Sequence, residues 1–229
     1  MRPSRSVSIS EADEPRLWGD LVTDKRMADH LRVDRYGDFV LTDAIRPAAH
    51  LPVVPREGYR LDVYRDPGAR IEVPALVASV SREKLFSLFL SLLEPLGPVV
   101  DVILETSHES EAGQHVDLIR EHIDLPVLMS HLCDYEELML NDGCTGIAVI
   151  AAGGPMEVQF DEHKLLVVYA QDIEPFEEIL HQEGLRRNDR MRLLTEGEHL
   201  HSTGPDHLDQ FDQLASRLGV TETAEQVRW

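Results

Sequence analysis

Residues Thr145–Ala170 read TGIAVIAAGGPMEVQFDEHKLLVVYA and contain three strand candidates in close succession. Thr145–Ala152 is apolar throughout, as expected of a central strand buried on both faces. Met156–Asp161 alternates, with Met156, Val158 and Phe160 on one side and Glu157, Gln159 and Asp161 on the other. Leu165–Ala170 is again apolar on both faces. The links Gly153-Gly154-Pro155 and Glu162-His163-Lys164 are too short for a crossover, so the three strands must run antiparallel as a meander.

Outward from this meander, strands are expected at Tyr59–Tyr64, Ile71–Val80, Val99–Thr106 and Met191–Thr195, with an Asp66-Pro67-Gly68 turn between the first two. Helices are expected at Arg82–Glu94, Glu111–Ile123, His131–Leu140, Ile173–Gln182 and Pro205–Leu218. The first has Leu85, Phe86, Leu88, Phe89, Leu92 and Leu93 on one broad face, with Ser81 placed to cap its start. Asp172 and Gly184 bracket the fourth. Strands and helices do not alternate strictly. The pattern predicts an α+β fold: an antiparallel or mixed sheet covered by about five helices.

Residues 1–56 read as an N-terminal arm with a hairpin around Tyr36-Gly37-Asp38 and a connector stiffened by Pro47, Pro52 and Pro55. Its first 20 residues lack apolar periodicity and are expected to be mobile. Residues 57–219 form the acidic domain, and 220–229 a C-terminal tail. The first 70 residues hold 12 basic and 12 acidic side chains, so the whole net charge of −20 falls on residues 71–229. Such a surface repels phosphate backbones and anionic lipid, which argues against nucleic acid and membrane as partners. No apolar run is long enough to span a bilayer, and no apolar stretch follows Arg2 and Arg5 as a secretory signal requires. Cys133 and Cys144 are the only cysteines and are expected to be thiols in the cytoplasm.

Nucleotide-binding glycine loops, nucleophile elbows and C-x-x-C pairs are all missing from the sequence. Histidine is the unusual residue: nine of 11 lie between His108 and His207. His199 and His201 in Glu196-Gly197-Glu198-His199-Leu200-His201 would point the same way from an extended chain. With Glu198 or His207 as a third donor they could hold a divalent metal such as zinc, leaving a position for water. A second group comprises His108 and Glu109, with His115 and His122 seven residues apart on the expected helix and so on one stripe. A metal completed by His108 or Glu109 is the alternative, but about 10 Å is too long for one ion to bridge, so hydrogen-bonded boundary imidazoles are the expected reading.

Cys144, in Asn141-Asp142-Gly143-Cys144-Thr145-Gly146, reads as a buried structural thiol at a turn. Asp101 and Glu105 share a strand face. Arg186, Arg187, Arg190 and Arg192 form the one basic patch of the acidic domain and could take an anion or pair locally. Three functions are compatible with these features. The first is a non-catalytic protein-interaction or regulatory module that self-associates through its arm. The others are a metal-dependent hydrolase centred on His199 and His201, and a small-ligand-binding domain.

Overall fold

The computed structural model describes residues 29–48, 53–66, 71–108 and 115–222. The architecture is α+β with antiparallel pairing throughout the main sheet, as the meander requires. A hairpin of β1 (Arg35–Tyr36) and β2 (Phe39–Val40) is followed by β3 (Ile45–Pro47), then β4 (Gly58–Asp66) and β5 (Ile71–Ser79). Helix α1 (Arg82–Leu93) leads to β6 (Val99–Thr106) and β7 (Val116–Asp124). Two helices, α2 (Leu125–Asp134) and α3 (Glu136–Asn141), precede the meander β8 (Thr145–Ala151), β9 (Glu157–Phe160) and β10 (Leu165–Tyr169). Helix α4 (Glu174–Gln182), strand β11 (His199–His201), helix α5 (His207–Leu218) and β12 (Thr221–Glu222) follow among the described residues.

The main sheet has eight strands in the order β12-β7-β6-β8-β9-β10-β5-β4. Strand β8 is interior, which its unbroken apolar run foreshadows. On one face Val102, Leu104, Val149, Val158, Phe160, Leu166, Val168 and Leu76 meet helices α1–α5 in one continuous core. Phe89 of α1 meets Phe160 of β9 edge-on, with ring centroids 5.2 Å apart. Aromatic pairs of this kind favour edge contact, because the positive ring edge meets the negative face. Among the described residues no helix is long and apolar enough to cross a membrane.

Three local expectations need correction. The segment expected as a helix over Glu111–Ile123 is strand β7 in its described part, and residues 109–114 lie outside the described residues. The cause is a β-bulge. Val100 pairs with Ile123 and Val102 with Arg120, so Glu121 and His122 together face Asp101. His122 takes a positive φ of 57°, and its amide donates to Asp101 Oδ1 at 2.8 Å. The extra residue breaks the period of two and leaves apolar positions that mimic a helical stripe. The expected helix His131–Leu140 is two helices, interrupted at Tyr135. Met191–Thr195 is not a strand: it is irregular chain entering a 3₁₀ turn at Leu194–Glu196.

Ser81 has a different job from the expected cap. Its hydroxyl accepts from the Val40 amide at 2.9 Å and donates to Glu83, tying the hairpin to α1. Asp172 accepts from the Glu174 amide at 3.2 Å, and Gly184, at φ 82°, ends α4 as expected. The N-terminal 28 residues, Pro52, the Asp66-Pro67-Gly68 turn beyond Asp66 and residues 223–229 lie outside the described residues.

A second, two-stranded sheet positions the site. Strand β3 pairs antiparallel with β11, with His199 opposite Pro47, Leu200 opposite Arg46 and His201 opposite Ile45. Gly143 fits between the ends of this ribbon. Its amide donates to Ser202 O at 2.8 Å, and the Ser202 amide donates to Ala44 O at 2.8 Å. A Cβ at position 143 would lie 2.5 Å from the Ala44 carbonyl oxygen, so only glycine permits the approach.

Candidate metal centre

His199 and His201 leave β11 on the same side, because alternate residues of a strand share a face. The third imidazole beside them is His163, from the tight turn between β9 and β10. Asp161 shapes this turn: its carboxylate accepts from the Leu165 amide at 2.7 Å and its carbonyl from the Lys164 amide at 3.0 Å. Lys164 adopts a φ of 61°, a conformation costing a non-glycine residue roughly 1 kcal/mol. Its Nζ is buried and donates to the Thr145 carbonyl at 2.9 Å, which holds the turn against β8.

The three rings stand 4.8 to 5.2 Å apart, centroid to centroid. One potential donor atom from each lies within 4.8 Å of those of the other two. His199 Nδ1 bonds the Gly197 carbonyl at 2.8 Å, and His201 Nδ1 bonds the Gly143 carbonyl at 2.7 Å. His163 Nδ1 bonds Asp161 Oδ2 at 3.2 Å. Carbonyl and carboxylate oxygens accept only, so each Nδ1 must carry the proton. In the neutral ring each Nε2 then keeps its lone pair for a metal, and the oxygen behind each ring fixes its orientation.

Burial lowers the pKa of His199 and His201, helped for both by the neighbouring His163. This favours the neutral form that a metal needs. Burial also opposes protonation of His163, but Asp161 outweighs it and the pKa stands above the usual value. Glu162 lies at the edge of the cluster. Its Oε1 is 3.9 Å from His163 Nε2 and 3.4 Å from His115 Nε2. Burial pushes its pKa up, but the bond from His115 more than compensates and the carboxylate is favoured.

A second group, His108, Asp142 and Cys144, also places potential donors within 4.8 Å of one another. Its chemistry differs. Asp142 is fully buried and already surrounded: Thr145 Oγ1 donates to it, and the Cys144 amide reaches it at 3.3 Å. His108 Nε2 lies 3.1 Å and His207 Nδ1 3.4 Å from its oxygens. Burial alone would raise the Asp142 pKa; His108, Thr145 and Thr203 reverse this and hold it well below the carboxylate range. His108 Nδ1 is occupied by Thr106 Oγ1 at 2.8 Å, and His207 Nδ1 accepts from the Gly204 amide at 2.8 Å. Burial pushes the Cys144 thiol up, which suits a structural role. This group is a hydrogen-bonded anchor, joined to the three-histidine cluster through the single peptide of Gly143.

Of the residues singled out in the sequence, His199 and His201 come together, while His207 and His108 meet at Asp142 instead. Glu198 is exposed and outside the histidine group, and its carbonyl accepts from the Ala48 amide at 2.8 Å. Glu109 lies outside the described residues. His115 and His122 share no helical stripe: His115 faces Glu162, and His122 sits at the bulge, 3.6 Å from Asp101. Arg187 grips Asp189 through two nitrogens, and Arg192 reaches the Glu196 carbonyl at 3.0 Å, so both serve local carboxylates or turns. Arg186 and Arg190 are exposed beside them. His163 is the residue that sequence reasoning passed over, because it stands in a link and the order of strands decides what that link faces.

The chain matches no protein-family model, no curated protein and no solved structure. The functional reading therefore rests on the geometry of its own residues.

Proposed function

We propose that the protein binds one divalent transition metal of the zinc class through Nε2 of His163, His199 and His201. The observation that carries this reading is the common arrangement of the rings. Each Nδ1 is committed to a protein oxygen, and one ring nitrogen from each histidine lies within 4.8 Å of those of the other two. Tetrahedral zinc with bonds of about 2.0–2.1 Å needs nitrogens about 3.4 Å apart, and one ring nitrogen from each histidine already lies within 4.8 Å of the others. An all-imidazole set suits zinc, copper or nickel and disfavours magnesium and calcium, which prefer oxygen. Asp161 behind His163 and Glu162 at the edge partly balance the added charge.

The sequence by itself ranks a protein-interaction module ahead of a metal site. That ranking leans on the N-terminal arm, whose first 28 residues lie outside the described residues, whereas the histidine cluster supplies an argument of its own. Purified protein stripped with a chelator and then dialysed against zinc is expected to retain one equivalent by elemental analysis. His163→Ala and His199→Ala are each expected to reduce that figure to near zero at the same free zinc. Retention of a full equivalent by His163→Ala would overturn the reading, as would sub-stoichiometric zinc in the unaltered chain.

A further inference from the structure

We infer that the zinc-loaded centre hydrolyses uncharged carboxylic esters, with Glu162 as the group that accepts a proton from the attacking water. This rests on the metal reading above and goes beyond it by assigning an activity, a substrate class and an acid–base residue. Three protein donors leave a tetrahedral ion one position short, the arrangement of a catalytic site rather than a closed structural one. His201 is the most exposed of the three residues, although its Nδ1 edge is part-buried against the Gly143 carbonyl.

Among the described residues, Glu162 is a carboxylate beside the cluster that does not serve as a ring's Nδ1 acceptor. Its Oε1 stands 3.9 Å from His163 Nε2, yet it falls outside the group of donors that lie within 4.8 Å of one another. A carboxylate so placed would serve a bound water as proton acceptor rather than act as a ligand. His115 Nε2 stands 3.4 Å from the same oxygen, and this second contact restrains the carboxylate.

The reaction balances without any further reagent. The water oxygen bonds to the ester carbonyl carbon while Glu162 takes one of the water protons. The acyl carbon–oxygen bond then breaks, and that proton passes to the departing oxygen, giving one acid and one alcohol. A metal held by His163, His199 and His201 would supply Lewis-acid polarisation of the carbonyl. The choice of uncharged esters over phosphate esters follows from the surroundings. Asp161 and Glu162 flank the rings, and the carboxylate of Glu105 would lie 3.3 Å from a Cβ at Gly146, near the Glu162 amide. With a net charge of −20 on the chain, an anionic substrate is repelled on approach.

The test uses the full chain in zinc-loaded and metal-free forms, with p-nitrophenyl acetate as the neutral probe and p-nitrophenyl phosphate as the anionic one. Zinc content is measured first, so a chain that binds no zinc fails the metal reading and is recognised before any rate is taken. Given one equivalent of zinc, the loaded form is expected to release p-nitrophenol from the acetate faster than the metal-free form, and from the phosphate far more slowly. Glu162→Gln is expected to keep its zinc and lose about 10²–10⁴-fold of the zinc-dependent rate. Its zinc content also reports that the site has folded. The inference is overturned if loaded and metal-free forms hydrolyse the acetate equally, or if the phosphate is the better substrate. It is equally overturned if Glu162→Gln keeps the full rate, or if it loses the metal, which would make Glu162 a fourth ligand of a closed centre.

Discussion

The Gly143 carbonyl oxygen accepts a hydrogen bond from His201 Nδ1 at 2.7 Å, so one peptide joins the histidine cluster to the buried Asp142 anchor. The same glycine lies against Ala44 and Ser202, where a Cβ would come within 2.5 and 2.9 Å of their carbonyl oxygens. Gly143→Ala must therefore push the β3–β11 ribbon away from the β8 entry. A loss of about 1–3 kcal/mol is expected from urea unfolding, together with weaker zinc binding by calorimetry. Unchanged zinc affinity in a destabilised variant would show that ribbon and ring orientation are independent.

Asp142 is a charged group held in a dry setting by its hydrogen bonds. Asp142→Asn keeps the shape but removes the charge that accepts from Thr145 Oγ1 and the Cys144 amide, at a cost of about 1.5–3 kcal/mol at neutral pH. The folded pKa lies below that of an unfolded aspartate, about 3.9, so the charge contributes fully above that pH and loses its contribution as pH falls below it. The gap in urea midpoint between the variant and the unaltered chain is accordingly expected to be widest at pH 6–7 and to narrow below about pH 4. A constant gap would mean that shape, not charge, is what Asp142 supplies.

Lys164 gives the opposite pH signature. Burial brings its ammonium pKa down to about 8, against about 10.4 in an unfolded chain. Between those values the unfolded chain holds more protons, so the lysine makes stability rise with pH across that window. Lys164→Met is expected to abolish this rise, whatever its effect on stability at pH 7. Parallel stability curves for the two proteins from pH 8 to 10 would show that the amine is better solvated than its position implies.

Metal should stabilise the folded chain by mass action. Zinc at about 100 times its dissociation constant adds roughly 2.7 kcal/mol, which calorimetric melting would register as a higher Tm. A chelator is expected to reverse the shift, and His201→Ala to abolish it. Magnesium at the same concentration is expected to leave Tm unchanged, since it does not favour an all-nitrogen set.

Much of the fold was legible because local pattern and tertiary role agree. The β8–β10 meander has links too short for any other pairing, and α1 has a face of six large apolar residues that only a core could hide. The reading failed at β7, where the bulge beside Asp101 spends one extra residue and disguises a strand as a helix. The site was half legible. His199 and His201 share a side by virtue of their spacing alone. His163 joins them only because β9 and β10 lie mid-sheet and because β11 pairs with a strand from the other end of the chain. No local signal in Glu162-His163-Lys164 carries that information. His108 and His207 converge on Asp142 for the same long-range reason.

The β3–β11 ribbon has a further consequence for folding. Its two strands are about 150 residues apart in sequence, so closing it carries a loop-closure cost that the local β8–β10 meander does not. A metal held by His163 and this ribbon would therefore tie the main sheet to a long-range closure. The rate at which bound zinc escapes to a chelator then becomes a clock for how often this seam opens, while the rest of the sheet stays closed.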